Sequence, residues 1–251
     1  MTTLAPGYEA LEHLSRGRAL DVYEVWSEER ECRCVAKLVR PDRLSDPGPR
    51  RRLRNEGRLL LSLTHPHVVR AYELIERPHP VLVLEAIEGE TVAHMVASRR
   101  RRLPAPELAA LGLHLCSALG YLHRHGWLHL DLKPANVIVD GGLAKLIDLS
   151  IVRRPGRARG GIGTRRYMAP EQLNGGRLTE ATDVWGLGAV LFEVATGSRE
   201  LERPVAARRR LPRPVADALD DCLEPDPGAR PSLGELTSAL EAAAPVDDAS
   251  A

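Results

Sequence analysis

The hydrophobic pattern of this 251-residue chain changes at Gly89. Residues 8–88 consist mostly of short apolar runs separated by polar stretches, a pattern typical of β-strands. One segment there, residues 51–65, has helical spacing and is closed by Pro66. Beyond Gly89 the apolar residues recur mainly at helical spacing. The change favours a small β-rich lobe followed by a larger helical lobe, in a chain long enough for both.

Individual elements can be placed on this pattern. Strands are expected over four segments of the first lobe: residues 19–27, 32–40, 68–76 and 80–88. Helices are expected over five segments of the second lobe: residues 91–102, 106–125, 182–196, 214–223 and 232–243. The runs "NVIVD" and "AKLIDL" are expected to form a hairpin. We place the first lobe at residues 1–88, the second at 89–244 and a disordered tail at 245–251.

Composition excludes several classes of function. The net charge is +1 and only 4% of residues are aromatic, so basic runs such as "PRRRLR" are interpreted as solvated faces rather than nucleic-acid surfaces. No apolar run reaches the ~18–20 residues of a membrane helix, and no secretory signal is visible, so we expect a cytoplasmic protein without a membrane partner. The four cysteines lack zinc spacing. Cys32 and Cys34 are expected to be reduced and to share one face of a strand.

The stretch "HLDLKPANVIVD" concentrates the side chains that can do chemistry. Asp131 can accept a proton or orient a hydroxyl group, and Lys133 can neutralise phosphate charge. Asn136 can offer its carbonyl oxygen to Mg²⁺, and Asp148, at the end of the next short strand, supplies a second hard oxygen ligand. Mg²⁺ needs few protein oxygens when phosphate oxygens complete its shell, so these two ligands suffice for a metal carried by a nucleotide.

Two charged residues of the first lobe fit the same chemistry. Lys37 lies on an expected strand and could hold phosphate groups if an acid anchors it, and Glu56 on the expected helix is the natural anchor. Only three of the 35 Lys and Arg residues are lysine, and two of these, Lys37 and Lys133, lie in the motifs described. Retention of lysine there indicates a need for a compact ammonium group rather than a planar guanidinium.

Together the motifs resemble those of the eukaryotic-type protein kinases, in their bacterial Ser/Thr form. They occur in family order along nearly the whole chain: "VAK", a helical Glu before "HPHVV", "HLDLKPANV", "DLS", "GTRRYMAPE", "DVWGLGAVLFEVATG" and "DPGARPS". The resemblance implies an α+β, bilobal protein-kinase-like fold, with a small β-rich N-lobe carrying one main helix and a larger helical C-lobe. It also implies transfer of the γ-phosphoryl group of ATP, with Mg²⁺, to Ser or Thr of a protein substrate.

The resemblance assigns roles to individual residues. Asp131 and Lys133 would be catalytic, the first orienting the substrate hydroxyl and the second approaching the transferred phosphoryl group, while Asn136 and Asp148 would bind Mg²⁺. The other residues would bind ATP: Lys37 and its anchor Glu56 at the phosphates, Gly17 in the glycine-rich loop, Leu14, Val22, Ala36 and Ile138 around the adenine, Leu84 as gatekeeper, and the hinge from Glu85 to Ile87. Two structural pairings are also implied, Glu171 with Arg230 and Asp183 with the catalytic loop.

Departures from the family pattern keep other functions open. Of the glycine-rich loop only Gly17 remains, with Ser15 and Leu20 at the other glycine positions, and "DLS" replaces D-F-G. A pseudokinase, or an ATP-binding scaffold that signals through protein contacts, is therefore an alternative. A small-molecule kinase of the antibiotic-phosphotransferase type is a third hypothesis. The segments "MAPE" and "DVWGLG" disfavour it, because the resemblance implies that they build a floor for a peptide substrate.

Leu130 occupies the position before Asp131 where most members of the family have an Arg that pairs with a phosphate. In the activation segment, residues 151–168, the only hydroxyl residues are Thr164 and Tyr167, both within "GTRRYMAPE". The receptor for the phosphate and a site to carry it are both missing, which predicts activity without phosphorylation of this segment. The segment also has six arginines and no acid. Unless acids elsewhere pair with them, we expect an acidic protein substrate or regulatory protein as partner; a disordered, Arg-rich loop is the alternative.

Overall fold

The computed structural model describes residues 3–98, 102–198, 200, 204–205 and 209–243. It contains two compact units. The first is a β-sheet with one long helix and includes the chain up to Glu88 together with Asp148–Ser150. The second is mainly helical and includes Gly89–Ile147 and the chain from Ile151 onwards. The predicted α+β class is confirmed, and the predicted tail at 245–251 lies outside the described residues.

Six strands form the antiparallel sheet of the first unit: β1 (Thr3–Ala5), β2 (Tyr8–Arg16), β3 (Leu20–Ser27), β4 (Cys32–Val39), β5 (Ala71–Ile75) and β6 (Val81–Glu85). Their order across the sheet is β1-β2-β3-β4-β6-β5. The four predicted strands are all present, whereas β1 and the run of β2 into the glycine-rich loop were not predicted. Cys32 and Cys34 share a face as expected, with their Sγ atoms 4.0 Å apart, and both are free thiols.

One helix, α1 (Pro47–Leu61), belongs to the same unit. It begins earlier than predicted because Asp46 caps it, with the Asp46 carboxylate accepting a hydrogen bond from a first-turn N–H group. A Cβ atom on Gly57 would lie 2.9 Å from Cδ1 of Leu74 on β5, so glycine lets the helix approach the sheet closely. The buried side of α1 carries Glu56.

Six helices are described in the second unit: α2 (Val92–Ser98), α3 (Ala105–Arg124), α4 (Pro170–Asn174), α5 (Glu180–Thr196), α6 (Arg213–Asp221) and α7 (Leu233–Glu241). Five of them occupy the predicted segments with shifted ends, and α4 was not predicted. Helix α5 is buried almost all round from Thr182 onwards, as expected of a helix in the centre of a core. Within the described ranges, no helix has the length and apolar character needed to cross a membrane.

Two small sheets complete the second unit. Strands β7 (Glu90–Thr91), β8 (Val137–Asp140) and β9 (Leu143–Leu146) form the first, in which β8 and β9 are the predicted hairpin. Strands β10 (Gly156–Ala158) and β11 (Gly176–Leu178) pair antiparallel as the second. This β10–β11 ribbon was not predicted, because each strand has only three residues and begins with glycine.

Candidate active site

Three charged residues form an ion-paired cluster in the first unit. Lys37 lies on β4, and its Nζ atom is 2.8 Å from Oε1 of Glu56 and 3.7 Å from Oδ1 of Asp148. The Glu56 side chain is fully buried, and 12% of the Lys37 side chain is exposed. The expected pairing of Lys37 with Glu56 is therefore present.

Burial dominates the electrostatics of this cluster. It raises the pKa of Glu56, and the Lys37 ammonium offsets the effect only in part. For Lys37, burial opposes the charged form, but the attraction of the Glu56 and Asp148 carboxylates outweighs it and raises the pKa. Lys37 therefore keeps its proton at neutral pH, as a residue that holds phosphate charge must.

The backbone N–H groups of the two residues after Asp148 bond two carboxylates of this cluster, one that of Asp148 and the other that of Glu56. The backbone N–H of Ser150 donates to Oδ1 of Asp148 over 2.9 Å, and that of Leu149 donates to Oε1 of Glu56 over 3.3 Å. Leu149 itself is buried. Because 30% of the Asp148 side chain is exposed, the carboxylate is accessible to a cation while it stays directed towards Lys37.

The residues expected around the adenine divide between the two faces of the sheet. Val22 lies opposite Lys37 in the β3–β4 ladder and shares its face, and Leu84 lies opposite Val35 in the β4–β6 ladder. Side chains alternate along a strand, so Ala36 points to the other face, where it is fully buried. Ala36 therefore does not share the face of Lys37, which counts against its assignment to the adenine site. Val35, which shares the face of Lys37 and is half-buried, is the better candidate.

The turn between β2 and β3 holds the residue expected nearest to phosphate. The N–H of Gly17 donates to the carbonyl of Leu20 over 2.8 Å, and the carbonyl of Gly17 accepts a hydrogen bond from Nη1 of Arg40 over 2.9 Å. Leu14 lies in an irregular part of β2 and is 48% exposed. The N–H and the carbonyl of Gly17 thus both have hydrogen-bond partners within the first unit, Leu20 and Arg40.

Two of the three remaining residues expected to bind ATP lie on strands, and the third follows a strand. Glu85 ends β6, and its Oε1 accepts a hydrogen bond from the N–H of Arg70 over 2.8 Å. Ile87 is half-buried and follows in a segment without regular secondary structure. Ile138 is a half-buried residue of β8 in the second unit. None of these positions conflicts with the expected roles.

In the second unit the carboxylate of Asp131 is surrounded by donors. Lys133 Nζ is 2.6 Å from Oδ2 of Asp131, and the Thr164 hydroxyl donates to Oδ1 over 2.6 Å. Lys133 Nζ also donates to Oγ1 of Thr164 over 3.0 Å. The carboxamide nitrogen of Asn136 donates to the backbone carbonyl and to Oδ2 of Asp131, over 2.9 and 3.2 Å. Thr164, expected only in the substrate floor, is thus a direct partner of the catalytic candidates.

The two expected metal ligands offer the oxygen atoms that Mg²⁺ prefers. The nitrogen of the Asn136 carboxamide is engaged by Asp131, so its carbonyl oxygen is the atom that can face a cation. Asp148 supplies a carboxylate from the other unit. No group of three or more His, Cys, Asp or Glu suited to a metal occurs among the described residues. Each of the two residues thus offers, within its own unit, one oxygen atom of the kind that Mg²⁺ binds.

The buried carboxylate of Asp183, on α5, holds the catalytic loop in place, which is the loop that leads through His129 and Leu130 to Asp131. Oδ2 of Asp183 accepts a hydrogen bond from the N–H of His129, and Oδ1 accepts one from the N–H of Leu130, each over 2.8 Å. Leu130 has a φ of 64°, a left-handed conformation that is costly for a branched side chain. Its carbonyl is held as well, by Nε2 of Gln172 over 2.6 Å. The expected anchoring by Asp183 is confirmed.

The Leu130 side chain links the catalytic loop to the activation segment. It is 4% exposed and packs with the buried Leu128 and Leu178. Ile151 and Ala158 of the activation segment pack against the same cluster. An apolar contact thus occupies the place where the family resemblance would put an arginine and its phosphate partner.

A second contact holds the activation segment, which we call the Arg154 clamp. Nη1 of Arg154 donates to the carbonyls of His125 and Gly126, over 2.6 and 3.1 Å, just beyond the C-terminus of α3. The guanidinium also stacks on Trp127, with Cζ 4.1 Å from the ring centroid. A Cβ atom on Gly126 would collide with the guanidinium. The sequence offered no signal for this clamp beyond the presence of an arginine and a tryptophan.

The expected ion pair between Glu171 and Arg230 is confirmed. Nη1 and Nη2 of Arg230 donate to the two carboxylate oxygens of Glu171 over 2.8 and 2.9 Å, and the Arg230 side chain is fully buried. Burial alone would raise the pKa of Glu171, but the bonds from Arg230 outweigh it and lower the pKa below 4.5. The bidentate pair fixes the start of α4, directly after the activation segment.

A cavity of about 490 Å³ lies beside the end of the activation segment. Arg166, Glu193 and Glu200 contribute charged groups to its lining. The hydroxyl of Tyr167 donates to Oε2 of Glu193 over 2.6 Å. The charge at this surface is therefore mixed, and not purely cationic as the arginines of the segment alone would indicate.

Comparison with known proteins agrees with this geometry. The model of the protein kinase domain matches residues 8–241. "Probable serine/threonine-protein kinase SCO3848" of Streptomyces coelicolor is 32% identical over 202 residues, 75% of this chain and 30% of that protein. Serine/threonine-protein kinase PknB of Mycobacterium tuberculosis is 31% identical over 213 residues, 78% of this chain and 34% of that protein.

A further relative is serine/threonine-protein kinase PkaA of Streptomyces coelicolor, 32% identical over 236 residues, which are 83% of this chain and 42% of that protein. The matched region thus spans less than half the length of each of these relatives. In this chain, the match to the protein kinase domain covers almost all of the described residues. The chain belongs to the protein kinase family, in the eukaryotic-type Ser/Thr form known from bacteria.

Proposed function

We propose that this chain is a Mg·ATP-dependent protein kinase domain that transfers the γ-phosphoryl group of ATP to Ser or Thr of a protein substrate. The observation that carries the proposal is the arrangement around Asp131. A carboxylate, the ammonium of Lys133 and the hydroxyl of Thr164 lie in mutual hydrogen-bond contact. Retention of this arrangement is hard to explain in a protein that no longer transfers phosphate.

The proposed chemistry needs positioning and charge neutralisation more than covalent help. Asp131 would orient the acceptor hydroxyl, which would replace Thr164 as a partner of one of its oxygens. Lys133 would neutralise charge on the transferred group from its present place 2.6 Å from Asp131. Asn136 and Asp148 would be the Mg²⁺ ligands that the family resemblance implies, and the metal would supply charge neutralisation at the phosphates. Lys37, kept protonated by two carboxylates, would hold the phosphates in the first unit.

We further propose that the domain is active without phosphorylation of its activation segment. Three contacts that need no phosphate support this: the Leu130 cluster, the Arg154 clamp and the β10–β11 ribbon. Leu130 brings no buried positive charge that a phosphate would have to compensate. The left-handed backbone at Leu130 is held by Asp183 and Gln172 instead.

A pseudokinase or ATP-binding scaffold remains the second candidate function, and one observation favours it. The β2–β3 turn is closed by the bond from Gly17 to Leu20 and by Arg40, whereas nucleotide binding asks for a turn whose N–H groups can meet phosphate. The two candidates differ in their catalytic output. A scaffold would bind partners without transferring phosphate, so Asp131 would be dispensable.

For partners, we propose a protein substrate, without nucleic acid or membrane as ligands, and a cytoplasmic location. Glu193 and Glu200 line the cavity beside the end of the activation segment together with Arg166, and this mixed charge weakens the expectation of an acidic substrate. A regulatory protein as a further partner is proposed on the exposed arginines of the activation segment.

The test is transfer of label from γ-labelled ATP to generic protein substrates, with wild type and Asp131→Asn compared. We expect Mg²⁺-dependent incorporation that falls by at least about a hundredfold in the variant. Mg·ATP should also raise the melting temperature of both proteins by mass action, because the phosphate-holding residues are unchanged. A thermal shift without incorporation would favour the scaffold, and the absence of both would refute nucleotide use altogether.

A further inference from the structure

The β10–β11 ribbon has two different faces. Arg157 lies directly opposite Arg177 in its register. Ala158 and Leu178, the residues that follow them along each strand, point to the inner face, where they pack in the cluster that contains Leu130. Because side chains alternate along a strand, Arg157 and Arg177 share the outer face, and both are exposed.

The outer face of the ribbon collects positive charge. Directly opposed residues of an antiparallel pair have Cβ atoms about 4.5–5.5 Å apart, and like charges in this relation are unfavourable. Among the described residues, neither Arg157 nor Arg177 makes an ion pair with an acid. From residue 149 to residue 170 the sequence contains no Asp or Glu. A counter-ion therefore has to come from outside this segment.

The two arginines project from a backbone that is held in place. Arg153 exchanges backbone hydrogen bonds with Leu128, over 2.8 and 3.1 Å. Nη2 of Arg153 donates to the carbonyl of Arg157 over 3.2 Å, which ties the start of the ribbon to the same residue. Charged groups on an ordered backbone lose less conformational entropy on binding than groups on a mobile loop.

We propose that the outer face of the β10–β11 ribbon docks an acidic segment of a partner protein. Guanidinium groups match carboxylate and phosphate oxygens, so anionic side chains would relieve the repulsion between Arg157 and Arg177. Residues 151–163 contain no hydroxyl group, so phosphorylation there cannot supply the charge in place of a partner. The same residues contain no aromatic ring on which a base could stack. Docking goes beyond the proposed activity, since it requires neither ATP nor phosphoryl transfer.

Fluorescence anisotropy with a labelled peptide of alternating Glu and Ala, without nucleotide and at low ionic strength, tests the proposal. We expect the double variant Arg157→Gln/Arg177→Gln to bind about tenfold more weakly than wild type. The matched control is Arg51→Gln/Arg52→Gln, which removes the same charge from two exposed positions of α1. The control should bind within about twofold of wild type, because only net charge has changed. All three proteins should stay folded, because the substituted side chains are exposed, and the ribbon variant should melt no lower than wild type, because the repulsion between Arg157 and Arg177 is removed.

Several outcomes would overturn the proposal. An equal loss in both double variants would show attraction by net charge alone, and no binding to the wild type would remove the site. Equally tight, ribbon-dependent binding of an oligonucleotide would assign the face to nucleic acid instead. A second peptide, with phosphoserine in place of Glu, shows whether the ribbon binds phosphate or carboxylate groups more tightly. Ribbon-dependent binding of either peptide supports the proposal, and the tighter one identifies the preferred anion. Because no ATP is present, failure of the kinase proposal would leave these results unchanged.

Discussion

Removal of the Arg154 clamp should loosen the activation segment by a measurable amount. In Arg154→Gln, the bonds to the carbonyls of His125 and Gly126 and the stack on Trp127 are lost together. An exposed cation–π contact contributes about 0.5–1 kcal/mol. A cation at an exposed helix C-terminus, with its hydrogen bonds, contributes about 0.5–1 kcal/mol more. The expected loss of about 1–2 kcal/mol raises the opening equilibrium of the segment roughly 5–30-fold.

Hydrogen exchange of the amides of residues 151–163, followed by mass spectrometry, measures this opening directly. The N–H of Arg153, which donates to the carbonyl of Leu128, is a suitable reporter. The matched control is Arg159→Gln, which removes an exposed arginine from the same segment. We expect faster exchange only in Arg154→Gln. Unchanged exchange in that variant, or equal acceleration in the control, would refute the clamp as a source of order.

Three further predictions concern single positions. Leu130→Arg should lower the free energy of unfolding by about 2–4 kcal/mol, because it breaks an apolar cluster and buries a charge. Urea unfolding measures this free energy, and a loss below about 1 kcal/mol would contradict the prediction. Ser150→Gly should strengthen binding of inhibitors that require Asp148 to swing outward, because glycine frees the backbone that now bonds its carboxylate; equal affinity for both proteins would count against this. The Glu171–Arg230 pair should make stability depend on pH. Because the folded pKa of Glu171 is lowered, its contribution is complete above about pH 4.5 and is lost as pH falls through the folded value. The stability difference between wild type and Glu171→Gln should therefore shrink in acid, and a difference independent of pH would disprove the assignment.

The chemistry of this protein was predictable where it depends on residues close in sequence. Asp131, Lys133 and Asn136 lie within one loop, so their contacts with one another follow from a short stretch of backbone. The pairing of Lys37 with Glu56 was predictable for another reason. A strand lysine and a helix glutamate are partners in the family pattern, and burial leaves each of them few alternatives.

Other features depend on packing that the sequence does not reveal. Ala36 was placed at the adenine site from the family resemblance, but strand alternation turns it to the face opposite that of Lys37. Val35 could have been identified by counting two residues back from Lys37. The β10–β11 ribbon and the Arg154 clamp join segments far apart in the chain, and neither has a hydrophobic period long enough to detect.

The central claim, a kinase domain that works without a phosphorylated activation segment, is tested most directly by one comparison. Protein treated with phosphatase and protein allowed to autophosphorylate are assayed on the same substrate, with mass spectrometry to verify the phosphate content of each. The contacts of Leu130 and Arg154 predict that the phosphatase-treated protein keeps most of its activity. A loss of tenfold or more after phosphatase treatment, equivalent to about 1.4 kcal/mol in the barrier, would contradict the account.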